Sequence, residues 1–422
     1  MPRTASPSFL VDITALGGLG DGVATKDGKP WFVPYTVTGD KAEIRTVQTG
    51  KQFNRGELVT LHGSGPARRP PACKHFGRCG GCSLQHVEPT LYAGFKRDRL
   101  IEAVERAGLD PSAVQPLITV GAGARRRTVL QWHQGALGYY EARSHRICPV
   151  EQCPVLEPAL ESLIPALQRL CLGLPVANAL QALALSLTAA GVDMTVMATA
   201  DAGIEDLERL VNFAKTHDIA AIQWCVNGHS IPVVQQRVPM MQVGEVQITL
   251  PSGAFQQATH AGQEAITHII LQAMEEEKQV LDLYAGCGAY SFAILEKALV
   301  YAVEGDPQMA ATMENAVRRY GKVARMQVEC RDLVKRPLPV PMLNRYDMVI
   351  MNPPRSGAAA QAALLAKSNV PKLVMVSCNP VTFSADAAVL ASGGYRLESA
   401  TPIDQFTWSN HLELAAVFNR VG

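Results

Sequence analysis

Val280-Leu281-Asp282-Leu283-Tyr284-Ala285-Gly286-Cys287-Gly288 decides the fold of this chain. A short apolar run ends in two closely spaced glycines, and the residues beyond them can continue as a helix. Strand, glycine turn and helix in that order bring the backbone close to a ligand at the carboxyl end of a parallel strand. Downstream, short apolar runs at 299–303, 348–351 and 373–376 alternate with stretches of helical spacing at 309–320 and 358–367; a further helix is expected at 263–274. This alternation predicts a parallel sheet covered on both faces, so residues 255–422 read as a doubly wound, Rossmann-like α/β domain. Glu304 stands 22 residues after Asp282, at the end of the next strand run. An acid at that place accepts hydrogen bonds from both ribose hydroxyls of a nucleoside.

Which nucleoside depends on a third glycine. Dinucleotide sites use one to seat a pyrophosphate on the helix N-terminus, but Ser291 occupies that position here. S-adenosylmethionine has no phosphate and needs no such glycine, which tilts the reading to a methyltransferase. Two more strings fall at carboxyl ends of strands, where open α/β sheets keep their chemistry: Asn352-Pro353-Pro354-Arg355 and Ser377-Cys378-Asn379-Pro380. His411-Leu412-Glu413 precedes a last apolar run at 414–418. Cys378 as nucleophile and Glu413 as proton acceptor could therefore share one rim with the nucleoside. Taken singly, the first reads as a core thiol and the second as a surface acid.

Upstream, residues 8–63 hold short alternating runs between Gly-rich turns, the pattern of a small five-stranded barrel of the oligonucleotide-binding type, or equally of an SH3-like one. Residues 65–71 read as a stiff Gly/Pro/Arg linker. A helix is expected at 91–109, stopped by Gly108. From 125 to 250 the chain reads as mixed α and β, with helices at 156–172 and 207–217 and one strand at 185–198. The expected domains are 1–67, 68–254 and 255–422, with the helix at 91–109 a candidate to pack on the last.

Hydrophobic residues make up 47% of the 422 and charged residues 18%, too apolar for a disordered chain. The formal charge of +1 hides an asymmetry: between Lys41 and Arg146, 17 Lys and Arg stand against 8 Asp and Glu. A basic front and an acidic remainder suggest a polyanion-facing surface, or simply solvated helix faces. The longest uncharged run, 170–192, is interrupted by polar residues and Pro175, so no membrane span is expected. With no apolar signal segment in residues 1–12, a cytoplasmic location is expected. Ten cysteines are then not a disulfide framework. Cys73, Cys79 and Cys82 fall within ten residues, which points to a metal, whereas Cys171, Cys225, Cys287 and Cys330 read as packing residues.

Together these strings resemble the RNA 5-methyluridine methyltransferases, specifically the ribosomal-RNA subgroup with an iron–sulfur cluster. The resemblance spans nearly the whole chain: a TRAM-like N-terminal barrel, the Cys-x5-Cys-x2-Cys set, a late Cys153 before Pro154, and the methyltransferase strings. Ser377-Cys378-Asn379-Pro380 and His411-x-Glu413 are the most specific of these. The resemblance implies methyl transfer to carbon 5 of a uridine, most specifically in 23S ribosomal RNA, with a tRNA uridine as the alternative and a monomer as the working species. Cys378 is the implied nucleophile and Glu413 the implied base. Implied contacts to S-adenosylmethionine are Gln257 (in Phe255-Gln256-Gln257, matching Phe-x-Gln), Tyr284, Glu304, Asn352 and, less directly, Asp332. Arg125-Arg126-Arg127 matches the family's arginine-rich strand and is the implied RNA contact. Cys73, Cys79, Cys82 and Cys153 are the implied ligands of a [4Fe–4S] cluster.

The residues alone leave alternatives. His75 and His86 lie near the cysteines, so zinc is a rival to the cluster. Cys148 is either structural or a replacement ligand. The Asn352-Pro353-Pro354 string also resembles the Asn-Pro-Pro-aromatic string of amino-group methyltransferases, although Arg355 replaces the stacking ring. A non-catalytic, cluster-dependent RNA-binding regulator is a further reading. Two positions depart from the family: Asn352 stands where Asp is usual, and Tyr284-Ala285-Gly286-Cys287-Gly288 stands for Tyr-Cys-Gly-x-Gly.

Overall fold

The computed structural model describes residues 8–421; residues 1–7 of the expected barrel domain, and Gly422, lie outside the described residues. The stretch around Val280 forms the first strand of an eight-stranded sheet. Its main strands are β1 (Gln279–Leu283), β2 (Leu299–Glu304), β3 (Met326–Cys330), β4 (Met348–Met351), β5 (Lys372–Ser377), β6 (Tyr395–Asp404) and β7 (Glu413–Arg420). They lie in the order 3-2-1-4-5-7-6, with the short strand Ile118–Thr119 at the β6 edge. β1 to β5 are mutually parallel, and β7 runs antiparallel to β5 and β6. The chain reverses its direction of travel across the sheet between β1 and β4, and such a switch point opens a crevice at the carboxyl ends of the strands.

Alternation along each strand divides the core in two. Val280, Val300, Ile350, Val374 and Val376 face helices His260–Ala273, Ala289–Ile294 and Pro307–Arg319. Leu281, Leu283, Val349, Met351 and Met375 face helices Ala359–Leu365 and Pro380–Ser392. Helix Pro89–Arg106 joins that second core through Leu100, Ala103 and Val104. It starts at Glu88, whose carboxylate accepts from the Thr90 and Leu91 amides, and it packs against helix Pro380–Ser392 and β6.

The N-terminal sheet has six strands rather than five, because Ala15–Leu16 pairs separately. Strands Ser8–Asp12 and Ala15–Leu16 are its two edges, yet only two residues separate them. The sheet must therefore close on itself, and the Thr14 amide bonds the Val23 carbonyl at the seam. The Gly/Pro/Arg segment is not free chain: Arg68 pairs with buried Asp40 at 2.7 Å and donates to the Tyr35 carbonyl.

The middle of the chain builds a seven-stranded sheet from Arg127–His133 to His229–Gln235. The single strand expected at 185–198 is in fact a hairpin, Leu180–Thr188 and Gly191–Ala198. Gly191 has φ +113°, and Thr188 Oγ1 caps the Ala190 amide, so a tight turn interrupts what reads as one apolar run. The helix expected at 156–172 is split into Pro158–Glu161 and Ile164–Gly173; Pro165 lacks the amide that would continue the first piece. Among the described residues no helix is long and apolar enough to cross a membrane.

Candidate active site

Cys378 and Glu413 come from adjacent strands. The β5–β7 ladder ends on the pair Ser377–Leu414, so the next position outward sets Cys378, just past β5, beside Glu413, the first residue of β7, at the carboxyl rim of β5. Cys378 is half-buried and precedes Asn379, the N-cap of helix Pro380–Ser392. Burial pushes its thiol up, the Glu413 charge adds to this, and Arg355 opposes it. Glu413 is 2% exposed. Burial pushes its carboxyl up to about 8, against the one hydrogen bond that favours the anion, from Gln405 Nε2 at 2.6 Å.

The glycine turn after β1 makes the second half of the site. Tyr284 is held at φ +60°, a strained conformation for a bulky residue and a mark of functional backbone. Gly288 has φ +84°, and a Cβ there would stand 2.9 Å from the Phe292 ring and 3.0 Å from Met313 Sδ, so only glycine fits. Glu304 accepts from the Gly286 amide at 2.7 Å and from the Asp306 amide at 2.8 Å. Both contacts aim its carboxylate along the turn while leaving lone pairs for a ribose. Ser291, in the third-glycine position, donates to Asp282 at 2.5 Å. Asp282 is fully buried, burial pushes it up to about 7, and its Oδ1 has no partner.

Asn352 follows β4 and its amide nitrogen bonds the Leu283 carbonyl at 3.2 Å, tying the Asn-Pro-Pro segment to the glycine turn. Asp332 sits beyond β3, where it accepts from the Val334 and Lys335 amides and pairs with Lys335. Gln257 is brought in from before helix His260–Ala273. Its Nε2 donates to Tyr290 Oη at 3.0 Å, and its Oε1 accepts from Gln405 at 2.8 Å.

The arginine triplet divides. Arg126 is 6% exposed; its Nε donates to the Gln257 carbonyl at 2.9 Å and its Nη2 to Gln263 at 2.7 Å. The resemblance implies that it meets RNA; in the structure its guanidinium is committed to the segment that carries Gln257, and little of it is exposed. Arg127 donates to the Gln256 carbonyl and lies 4.8 Å from the ring centre of Phe255, which is 58% exposed. Arg125 lines an open cavity of about 430 Å³.

That cavity lies between the cysteines and the segment that leads into Glu413. Cys73, Cys79, Cys82 and Cys153 line it together with His75, and so do Thr259, Gln405, Phe406 and His411. Burial pushes the thiols of Cys79 and Cys82 up to about 11 and about 12. Among the described residues no three Cys, His, Asp or Glu side chains are grouped as a single metal ion requires. Cys148 is fully buried in its strand and does not line the cavity; His86 is buried against Phe76 with neither ring nitrogen paired.

Sequence reading missed the segment between β6 and β7. Lys96 and Asp404, both fully buried, pair at 2.9 Å, and Tyr92 Oη donates to Asp404 at 2.6 Å. Lys96 also donates to the carbonyls of Phe406 and His411. The Trp408 carbonyl accepts from the Ser83 and Leu84 amides, each at 2.9 Å, directly after Cys82. A charged residue in an amphipathic helix reads as surface, so Lys96 gave no signal.

Strand order, glycine turn and second-strand acid define a class I methyltransferase fold. The family of tRNA (Uracil-5-)-methyltransferases matches residues 233–421. An RNA methyltransferase of Brucella suis, described as uncharacterized, is 34% identical over 99% of both chains. The 23S rRNA (uracil(1939)-C(5))-methyltransferase of Shewanella denitrificans is 29% identical over 99% of this chain and 97% of its own. In fold, the chain is similar to the Pyrococcus abyssi tRNA (uracil-54, C5)-methyltransferase solved with S-adenosyl-L-homocysteine, with a TM-score of 0.77 and 21% identity over 97% of this chain and all of that one. This chain belongs to the RNA 5-methyluridine methyltransferase family and is an RNA methyltransferase of the uracil-5 type. That sets aside the amino-group and regulator readings.

Proposed function

We propose that the protein methylates carbon 5 of one uridine in 23S ribosomal RNA, using Cys378 and Glu413. The observation that carries the reading is the juxtaposition of Cys378 and Glu413 on adjacent strands, at the rim of the sheet that also bears the glycine turn. The full-length likeness to the Shewanella enzyme supports ribosomal RNA over tRNA. Carbon 5 of uracil is a weak nucleophile. Addition of the Cys378 thiolate to carbon 6 pushes the 5,6 π pair toward O4 and leaves carbon 5 enolate-like. S-adenosylmethionine, when bound, supplies the methyl group and leaves as the neutral thioether. Glu413 then takes the carbon 5 proton, the 5,6 double bond re-forms, and the carbon 6–sulfur bond breaks to return the thiolate. Tyr284, Glu304, Asn352 and Gln257 border the cofactor place, with Asp332 at its edge. The uracil must be splayed from its stack to reach Cys378, and Arg125, which lines the cavity, would hold phosphate there.

The test is covalent trapping. Glu413→Gln is expected to add and methylate but stall as a protein–RNA adduct that survives denaturation. Cys378→Ala is expected to transfer no methyl group and form no adduct. Methyl transfer by Cys378→Ala would refute the mechanism, and mass spectrometry of modified rRNA and tRNA assigns the substrate.

The four cysteines would hold a [4Fe–4S] cluster. A single zinc draws thiolates to about 2.3 Å, whereas a cluster takes one thiolate on each iron and spaces them wider. Four thiols ringing one cavity suit the larger group. It would cross-link residues 73–82 to the central sheet. Anaerobically purified protein is expected to be brown, and Ser at any of the four positions to bleach it; a colourless protein with stoichiometric zinc would overturn the cluster.

A further inference from the structure

Glu413 has one hydrogen-bond partner, and it is a residue with no role in the mechanism above. Gln405 follows β6, is 2% exposed, and lines the cavity that holds the cysteines. Its Nε2 lies 2.6 Å from Glu413 Oε2 and 2.8 Å from Gln257 Oε1. An amide nitrogen has two protons, and these two acceptors use both. The arrangement has a direction. Gln257 presents its oxygen to Gln405 because its own nitrogen donates to Tyr290 Oη, and its backbone is pinned by Arg126. Turning the Gln405 amide over would set oxygen against the ionised carboxylate and against the Gln257 oxygen, so the anion and the amide orientation select each other.

We propose that Gln405 is a positioning residue: its amide aims the Glu413 carboxylate at the carbon 5 proton, favours the form that can accept it, and ties it to Gln257 at the cofactor side. This rests on Glu413 being the base. The chemistry follows from the site's dryness. A carboxylate excluded from water loses its charge unless a donor compensates, and burial pushes Glu413 up to about 8 even with the Gln405 donor in place. The other groups facing it offer little help. Cys378 on the β5 side and Tyr290 from the helix after the glycine turn are acids themselves. Asp282 lies behind Tyr290, and Arg126 acts on Tyr290 from the far side of Gln257. Arg355 faces Cys378, and His411 on the same segment is held neutral by burial and by Arg355 and Lys96.

The test separates the steps of one turnover. In Gln405→Met, which keeps the length and loses the donor, single-turnover methyl transfer is expected to continue. Adduct decay is expected to slow about tenfold at pH 7, with its pH profile moved up by about one unit. If that variant does not fold, Gln405→Asn, whose amide falls one methylene short of Glu413, carries the same expectation. A decay profile that superimposes on the native one, while Glu413→Gln still stalls, would overturn the role of Gln405 and leave the base assignment standing. Equal losses in transfer and decay with no shift in pH would reduce Gln405 to a packing residue and overturn it too. If Glu413→Gln releases its adduct normally, the base assignment falls first and this inference with it.

Discussion

Lys96→Met removes the ammonium that holds the Glu413-bearing segment to helix Pro89–Arg106. Both Lys96 and Asp404 are fully buried and 2.9 Å apart. Methionine matches the lysine stem, so little volume is lost and the effect is almost wholly electrostatic. Asp404 keeps only the Tyr92 hydroxyl at 2.6 Å, and the Phe406 and His411 carbonyls lose their shared donor. Removing one partner of a buried ion pair costs about 3–5 kcal/mol, because the other charge stays buried without compensation. Asp404→Asn in the same background restores a neutral site, so the double variant is expected to be less destabilised than the sum of the singles by more than about 1 kcal/mol. A chain with several separate cores need not unfold in one step, so urea unfolding is paired with hydrogen exchange at residues 404–413. Those amides are expected to lose protection first, and adduct decay to slow with them. Lys96→Met within about 0.5 kcal/mol of the native protein, with unchanged exchange at 404–413, would refute the claim that this pair braces the catalytic segment.

The ionisation of Glu413 carries a stability signature. Its carboxyl is raised from 4.5 to about 8, so the contribution is complete below pH 4.5 and is lost as pH rises through about 8. Glu413→Gln lacks that ionisation, and urea titrations from pH 5 to 9 should find it gaining on the native protein by on the order of a few kcal/mol, then levelling off. The arginines should separate as well: Arg125→Ala is expected to flatten the salt dependence of RNA binding by about 0.7–0.9 in log–log slope. Arg126→Ala should leave that slope alone and weaken S-adenosylmethionine binding measured by calorimetry, since it supports Gln257.

Much of the catalytic domain was legible because its signals are local. The apolar run at 280–283, the glycines after it and Glu304 lie within one strand–helix–strand unit, and their spacing carries the geometry directly. Cys378 was legible by its string and Glu413 by His-x-Glu, but neither as a partner of the other until β7 was seen to return antiparallel beside β5. The hairpin at 180–198 was misread because its turn is Ala-Ala-Gly, apolar enough to pass for strand.

Local pattern alone was enough for the doubly wound class and the nucleoside turn, because both depend on residues close in the chain; the nucleophile string and the four-cysteine set rested on the family resemblance. Tertiary structure decided which polar residues are buried. Arg126, implied as an RNA contact, and Lys96, which drew no reading, are interior braces; Tyr92 and Asp404, 312 residues apart, share one proton contact. Gln405 gains its meaning only when β6, β7 and the segment before helix His260–Ala273 converge on it. Desolvation depends on what surrounds a group in three dimensions, and that is why the state of Glu413 could not be read from its place in the sequence.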